Sequence, residues 1–182
     1  ADPTLGVEML STGEVACFGD DQDEALIKAL LATGFRYPER GVLLSLGTME
    51  EKYKFWEEAR ELSRLGLPLY ATRGTADMLQ RESIPCLELA KDGNSKPSAL
   101  DFLSEGKIDL VVNIPVGYDE HGRPDGYWIR RRAVELEIPL LTDLWLARRV
   151  VRAICRHPIA TLKVKSWGEY LAEAGVGRGG AS

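Results

Sequence analysis

From residue 21 onward, two kinds of apolar spacing alternate along the chain. Short runs of consecutive apolar residues bounded by turn residues predict buried strands, and apolar residues three or four positions apart predict the helices between them. The predicted strands are 41–45, 67–71, 84–89, 108–112 and 138–141. Parallel strands need long crossover connections, which helices supply. The pattern therefore predicts an α/β fold, a three-layer open sheet of about five mostly parallel strands with helices on both faces.

Capping residues indicate where the predicted helices begin. Asp21 with Glu24, and Thr48 with Glu51, have the spacing of a capping box, in which side chain and backbone cap each other. Pro97 suits the first turn of a helix, because its missing N–H would have no partner there. The predicted helices are 25–33, 49–65, 75–81, 97–105, 128–136 and 144–157.

The same pattern divides the chain into three parts. Residues 1–19 place a polar cluster between two apolar stretches and are interpreted as a connector. Residues 20–174 form one domain, and residues 175–182, rich in glycine and small residues, are predicted to be a disordered tail. No apolar stretch approaches the roughly 20 residues that span a bilayer, so no membrane segment is predicted.

Charge and reactive residues narrow the classes of function. A net charge of −5 argues against nucleic-acid binding, which favours a basic surface. The three cysteines are scattered without the spacing of metal ligands, and we expect reduced thiols in an intracellular protein. The two histidines lie in no metal or nucleophile motif, and the chain has no nucleophile elbow and no Walker-type loop. The sequence therefore predicts ligand binding without catalysis, metal or cofactor in this domain.

Residues that follow the predicted strands form the candidate site. In open parallel sheets, ligands bind beyond the carboxyl ends of the strands. These positions hold two lysines, several hydroxyl side chains, glycines and helix N-termini, which together suit a phosphate or carboxylate. The candidate effector-binding residues are Ser45, Lys52, Thr72, Thr75, Lys91 and Asn113. The basic run 130–132 is either a solvated helix face or the source of one arginine that reaches the anion or a partner.

Several stretches of the sequence resemble one known family. Residues 5–15 (LGVEMLSTGEV) resemble the segment that leaves the second ATP-grasp unit of the carbamoyl-phosphate synthase large subunit. In that family the segment leads into the C-terminal allosteric domain, which has the methylglyoxal-synthase-like fold. The resemblance continues through residues 71–75 (ATRGT), 111–113 (VVN), 129–131 (IRR) and 138–142 (IPLLT), and covers the chain to about residue 158.

The resemblance implies a regulatory role. The family's domain binds effectors and shifts the activity of an ATP-dependent enzyme that makes carbamoyl phosphate for pyrimidine and arginine synthesis. It implies that Lys52, Thr72 and Thr75 hold the phosphate of a UMP- or IMP-type nucleotide, and that Asn113 faces the ribose or base. ATP and magnesium would belong to the parent enzyme rather than to this domain. The implied partners are the ATP-grasp domain of the same polypeptide and a second copy of the domain.

Departures from the family pattern leave the effector open. Pro115 stands where nucleotide-binding members often have a hydroxyl residue, and residues 113–115 are similar to the acetylglutamate-dependent type. That type, however, has tryptophan at the position of Lys91 and lacks a match to Lys52. The balance favours a phosphorylated ligand and a cytoplasmic protein, whereas acetylglutamate would imply a mitochondrial one.

Two further interpretations compete with effector sensing. A free-standing methylglyoxal synthase shares the fold and a phosphate pocket, but this chain lacks the Gly-Asp-Gln-Gln pattern that would supply the catalytic aspartate. A module whose effector site has decayed could persist as an assembly interface. Binding of a nucleotide or of acetylglutamate would separate the second interpretation from effector sensing.

Overall fold

A computed structural model of the chain describes residues 15–173, apart from 92, 94, 119–121, 123 and 124. Within this range one sheet contains five strands: β1 Val42–Ser45, β2 Leu69–Thr72, β3 Leu87–Leu89, β4 Leu110–Asn113 and β5 Leu140–Leu141. The strand order is β3-β2-β1-β4-β5, and every pairing is parallel. The predicted parallel sheet is confirmed.

Helices cover both faces of this sheet. They are α1 Gln22–Ala32, α2 Met49–Arg64, α3 Arg73–Arg81, α4 Ala99–Ser104, α5 Tyr127–Glu135, α6 Leu144–Arg156, a 3₁₀ turn Ile159–Thr161 and α7 Trp167–Glu173. Successive strand residues point to opposite faces, so Val42 and Leu44 pack in a cluster with α1, α2, α3 and α6, and Leu43 packs with α4 and α5. The three-layer arrangement is therefore confirmed. None of the helices in the described range has both the length and the apolar character of a membrane span.

All five strands begin one to three residues later than predicted, and three of them begin shortly after a proline. β2, β3 and β5 start one or two residues after Pro68, Pro85 and Pro139. Proline has no N–H to donate to a strand ladder, so it is confined to the margin of the sheet. The carbonyls of Pro68 and Pro139 still accept hydrogen bonds from the N–H groups of Val42 and Val111, at 3.0 and 2.9 Å. The prolines therefore mark the side of the sheet on which the strands begin, which we call its amino edge; the strands end at the opposite side, the carboxyl edge.

The predicted helix starts are correct in part. The capping box at the start of α2 is present. At α1 the Asp21 side chain accepts from backbone N–H groups two and three residues on, but the Glu24 carboxylate accepts from the N–H of Asp20 at 2.5 Å, so the predicted reciprocal bond to Asp21 is wrong. The predicted start of α4 at Pro97 is also wrong. Ser98 caps that helix because its hydroxyl can accept from two first-turn N–H groups, at 3.2 and 3.4 Å.

The first and last described segments pack against each other. The Phe18 ring lies 4.8 Å from the Trp167 ring and 5.8 Å from the Tyr170 ring, measured between centroids. The Tyr170 hydroxyl also donates to the carbonyl of Phe18 at 2.9 Å. α7 was not predicted, and none of its residues is fully buried. Residues 1–14 of the predicted connector and the predicted tail lie outside the described residues, so those domain bounds stay predictions.

Candidate anion-binding site

A cavity of about 790 Å³ opens beyond the carboxyl ends of β1, β2 and β3. Four of the six predicted site residues, Lys52, Thr72, Thr75 and Lys91, line it. Parallel strands all end at one edge, which is why residues distant in sequence meet there. The remaining lining residues are Leu46, Gly47, Arg73, Gly74, Asp77, Glu88, Leu89, Ala90, Ser95, Val116 and Asp125.

Lys52 is a buried cation without a carboxylate partner among the residues that the structure describes. It lies in the first turn of α2 and is only 8% exposed. Its ammonium group donates to the carbonyl of Gly47 at 2.6 Å, and it forms no ion pair with any residue that the structure describes. Burial, and secondarily the positive charge of Lys91, lower the pKa of Lys52. An anion bound beside this ammonium group would relieve that electrostatic cost.

The N-terminus of α3 adds backbone donors next to Lys52. Thr72 occupies the cap position, but its side chain caps no N–H group and instead donates to the Ser45 hydroxyl at 3.2 Å. The first-turn N–H groups of a helix have no partner within the helix and attract anions. A Cβ at Gly74 would lie 3.6 Å from the ammonium nitrogen of Lys52. The ammonium group of Lys52 and the uncapped N-terminus of α3 therefore border the same part of the cavity.

Thr75 holds the loop after β1 against α3. Its side chain is fully buried, and its hydroxyl oxygen accepts a hydrogen bond from the N–H of Leu46 at 2.9 Å. The same hydroxyl lies 3.4 Å from the Leu46 carbonyl. These contacts fix the position of Gly47, which in turn accepts from Lys52. The Thr75 side chain thus holds the loop after β1 in place at the wall of the cavity.

Ser45 and Asn113 do not line the cavity. Both are the last residues of their strands, and they are 2% and 1% exposed. The Asn113 amide donates to the Ser45 carbonyl at 3.3 Å, and its oxygen accepts from Arg130. Their polar groups are used within the chain, so the predicted contact between Asn113 and a ribose or base stays a prediction. In the structure, both residues form hydrogen bonds with neighbouring parts of the chain and do not face the cavity.

Lys91 is paired, unlike Lys52. Its ammonium group contacts both carboxylate oxygens of Asp125, at 2.8 and 2.6 Å. Arg130 donates to the backbone carbonyl of Asp125 at 2.5 Å, which links this ion pair to Asn113. Of the basic run 130–132, Arg130 therefore reaches the edge of the site, although it acts through the chain's own residues.

Carboxylates as well as cations line the cavity. Asp77 and Glu88 lie in the lining with Asp125, beside the cations of Lys52, Lys91 and Arg73. Such carboxylates can accept hydrogen bonds from hydroxyl or N–H groups of a ligand. The cavity therefore suits a molecule that combines one anionic group with hydrogen-bond donors better than it suits a bare polyanion.

The sequence profile of one protein family matches residues 54–142, and that family is described as the MGS-like domain. The chain is an MGS-like domain. It is 45% identical to the multifunctional protein pyr-3 of Neurospora crassa over 86% of its length, and this match covers 9% of that protein. It is 38% identical to the mitochondrial carbamoyl-phosphate synthase (ammonia) of Homo sapiens over 85% of its length, which covers 10% of that protein. The chain thus spans about a tenth of the relatives it matches, and the family identified from the sequence is confirmed.

The matched region of this MGS-like domain contains Thr72, Thr75, Lys91 and Asn113, whereas Ser45 and Lys52 precede it. A crystal structure of methylglyoxal synthase from Elizabethkingia anophelis NUHP1 superposes with a TM-score of 0.45 and 14% sequence identity, over 75% of this chain and 95% of that one.

Sequence reasoning missed Asp125 and Gly74 at this site. Asp125 is 34 residues from Lys91, so no local spacing connects the two residues. Gly74 was noticed only as a residue after a strand. Its closeness to Lys52 depends on how α2 and α3 pack together. In neither case did the sequence carry a signal beyond residue type.

Proposed function

We propose that this MGS-like domain binds a nucleoside monophosphate of the UMP or IMP type and regulates a carbamoyl-phosphate synthase of which it is a part. The observation that carries the proposal is Lys52, a buried lysine without an ion-pair partner among the described residues, beside the uncapped N-terminus of α3. A phosphate at this position would receive charge-assisted hydrogen bonds from Lys52 and from backbone N–H groups. The negative charge of the phosphate would then compensate the buried positive charge of Lys52.

The size and polarity of the cavity support a ligand larger than phosphate. Its volume of about 790 Å³ is in the range of sites for drug-sized molecules. With the phosphate at Lys52, the remainder of the cavity would hold the sugar and base, and Asp77 and Glu88 could accept hydrogen bonds from their hydroxyl and N–H groups.

The names of the relatives support the proposal that the parent enzyme is a carbamoyl-phosphate synthase. One relative is a multifunctional protein and another is a mitochondrial carbamoyl-phosphate synthase, and both are about ten times longer than the matched segment. We assign to this chain the regulatory part of such a ligase, active in pyrimidine or arginine synthesis. ATP and magnesium would be bound by the ATP-grasp units of the same polypeptide, which are the proposed partners together with a second copy of the domain. A cytoplasmic location fits the nucleotide-regulated type.

Acetylglutamate is the second candidate effector. Pro115, two residues after Asn113, offers neither a hydroxyl nor an N–H group to a nucleotide. A carboxylate of acetylglutamate could also bind at Lys52, since both carboxylate and phosphate match an ammonium group beside a helix N-terminus. This effector would place the parent enzyme in mitochondria, as in the human relative.

Calorimetric titration and thermal denaturation of the 182-residue chain with UMP, IMP and acetylglutamate test the proposal. We expect UMP or IMP to bind and to raise the melting temperature with the logarithm of ligand concentration, because binding to the native state stabilises it. Binding of acetylglutamate alone would replace the nucleotide by the second candidate. Absence of binding for all three would overturn the proposal and favour a role in assembly.

A further inference from the structure

Lys91 and Asp125 form an ion pair at the wall of the cavity. The side chains are 44% and 31% exposed, and both residues line the cavity. A ligand can therefore reach either partner. Because the Asp125 carboxylate contacts Lys91 through both oxygens, Lys91 is already neutralised, whereas Lys52 has no ion-pair partner among the described residues.

The backbone of Asp125 is held on both sides. Its N–H donates to the carbonyl of Gly117 at 3.2 Å, and its own carbonyl accepts from Arg130 at 2.5 Å. The next residue is Gly126, with φ of 74°, and a Cβ there would lie 2.6 Å from the side-chain nitrogen of Asn113. Glycine alone fits that position easily. The fold therefore fixes where the carboxylate stands relative to Lys91.

We propose that Asp125 is a built-in counter-ion that selects ligands carrying one anionic group over ligands carrying two. This inference rests on the proposed function, because it assumes that an anionic effector binds at Lys52. A nucleoside monophosphate would use Lys52 and the α3 N-terminus and leave the Lys91–Asp125 pair intact. A ligand with two separate carboxylates would need Lys91 as well, and it would have to displace Asp125 or bind next to its negative charge.

The charges around Lys91 favour this interpretation over a passive surface pair. Lys91 and Asp125 are both close enough to influence the titration of Lys52, Lys91 lowering its pKa and Asp125 raising it. The two charges of the pair therefore act on Lys52 in opposite directions. A passive surface pair contributes about 0–1 kcal/mol to stability and has no effect on a distant ligand.

The test compares UMP and acetylglutamate as probes on the wild-type chain and on Asp125→Asn, with Asp125→Glu as the control that retains the charge. We expect Asp125→Asn to strengthen acetylglutamate binding about 10- to 100-fold, the scale of one hydrogen bond to a charged group, and to change UMP binding less than about 2-fold. Asp125→Glu should resemble the wild type. Melting temperatures of all variants show whether each one folds.

Lys91→Met completes a double-mutant cycle. Combined with Asp125→Asn it should abolish the gain for acetylglutamate. Weaker UMP binding by Asp125→Asn would show that Asp125 contacts the nucleotide directly and would overturn the inference. Unchanged acetylglutamate binding would also overturn it. If the wild-type chain binds no UMP, the proposed function fails first and the selection role fails with it.

Discussion

The two edges of the sheet satisfy their backbone N–H groups in different ways. At the amino edge, the Asp109 carboxylate accepts hydrogen bonds from the N–H groups of Glu39, Arg40 and Gly41, at 2.8, 2.9 and 3.0 Å. At the carboxyl edge, no side chain caps the first turn of α3, and the nearby Lys52 has no carboxylate partner among the described residues. The chain thus supplies its own anion at one edge and leaves room for an external anion at the other.

The other helix starts sharpen this contrast. Five helices, α1, α2, α4, α6 and α7, have side-chain caps, supplied by Asp21, Thr48, Ser98, Asp143 and Ser166, whereas α5, which begins after Gly126, has none. Thr72 at α3 is also a good capping residue, yet its hydroxyl donates to Ser45 instead. The uncapped start of α3 therefore reflects how its threonine is used, and it is consistent with a ligand that takes the role of the cap.

The largest expected effect is at the amino edge. Asp109→Ala removes the acceptor of three hydrogen bonds to a charged group, and we expect the free energy of unfolding to fall by about 2–4 kcal/mol. Urea denaturation measures this loss. Glu135→Ala is the control, since Glu135 forms exposed ion pairs worth less than about 1 kcal/mol. Equal losses in the two variants would remove the distinction between the edges.

A smaller and more selective effect is expected at the carboxyl edge. Gly74→Ala adds a methyl group 3.6 Å from the ammonium nitrogen of Lys52, at an ordinary contact distance and without positive φ. Alanine also favours the helix by about 1 kcal/mol over glycine. We expect stability to be unchanged or slightly higher, and UMP binding to weaken about 10-fold because the approach to the helix end is narrowed. Unchanged binding would separate Gly74 from the ligand position.

The smallest expected effect is the pH dependence of stability that comes from Lys52. Because its pKa is lowered in the folded chain, the folded state binds fewer protons than the unfolded state as the pH approaches the ordinary value of 10.5. The free energy of unfolding should therefore rise with pH in this window, and the gain is lost as pH falls through the lowered pKa. Urea denaturation at several pH values should show a smaller rise for Lys52→Met than for the wild type. Identical pH profiles would mean that burial does not disfavour the Lys52 charge.

The sequence was sufficient to place Lys52, Thr72, Thr75 and Lys91 at one edge, because alternating strands and helices imply a parallel sheet whose strands end on the same side. It could not show which of these groups are already satisfied within the chain. A threonine before a helix is equally compatible with capping, so the uncapped start of α3 depends on the rotamer of Thr72.

Side-chain contacts between residues far apart in the sequence could not be predicted either, because they depend on how the elements pack together. Asn113 was predicted to face a ligand, but Arg130, 17 residues further on, engages its side chain. Lys91 pairs with Asp125, 34 residues further on. Neither contact has a periodicity that residue spacing could reveal.

The most direct measurement is a calorimetric titration of UMP into three forms of the chain: wild type, Lys52→Met and Lys54→Met. Lys54 lies two residues away on α2 but is exposed and paired with Glu50, so it serves as the matched control. We predict that Lys52→Met weakens UMP binding by about 1.5–3 kcal/mol, the value of a hydrogen bond to a charged group, and that Lys54→Met binds as the wild type does. Equal affinities for Lys52→Met and the wild type would contradict the account.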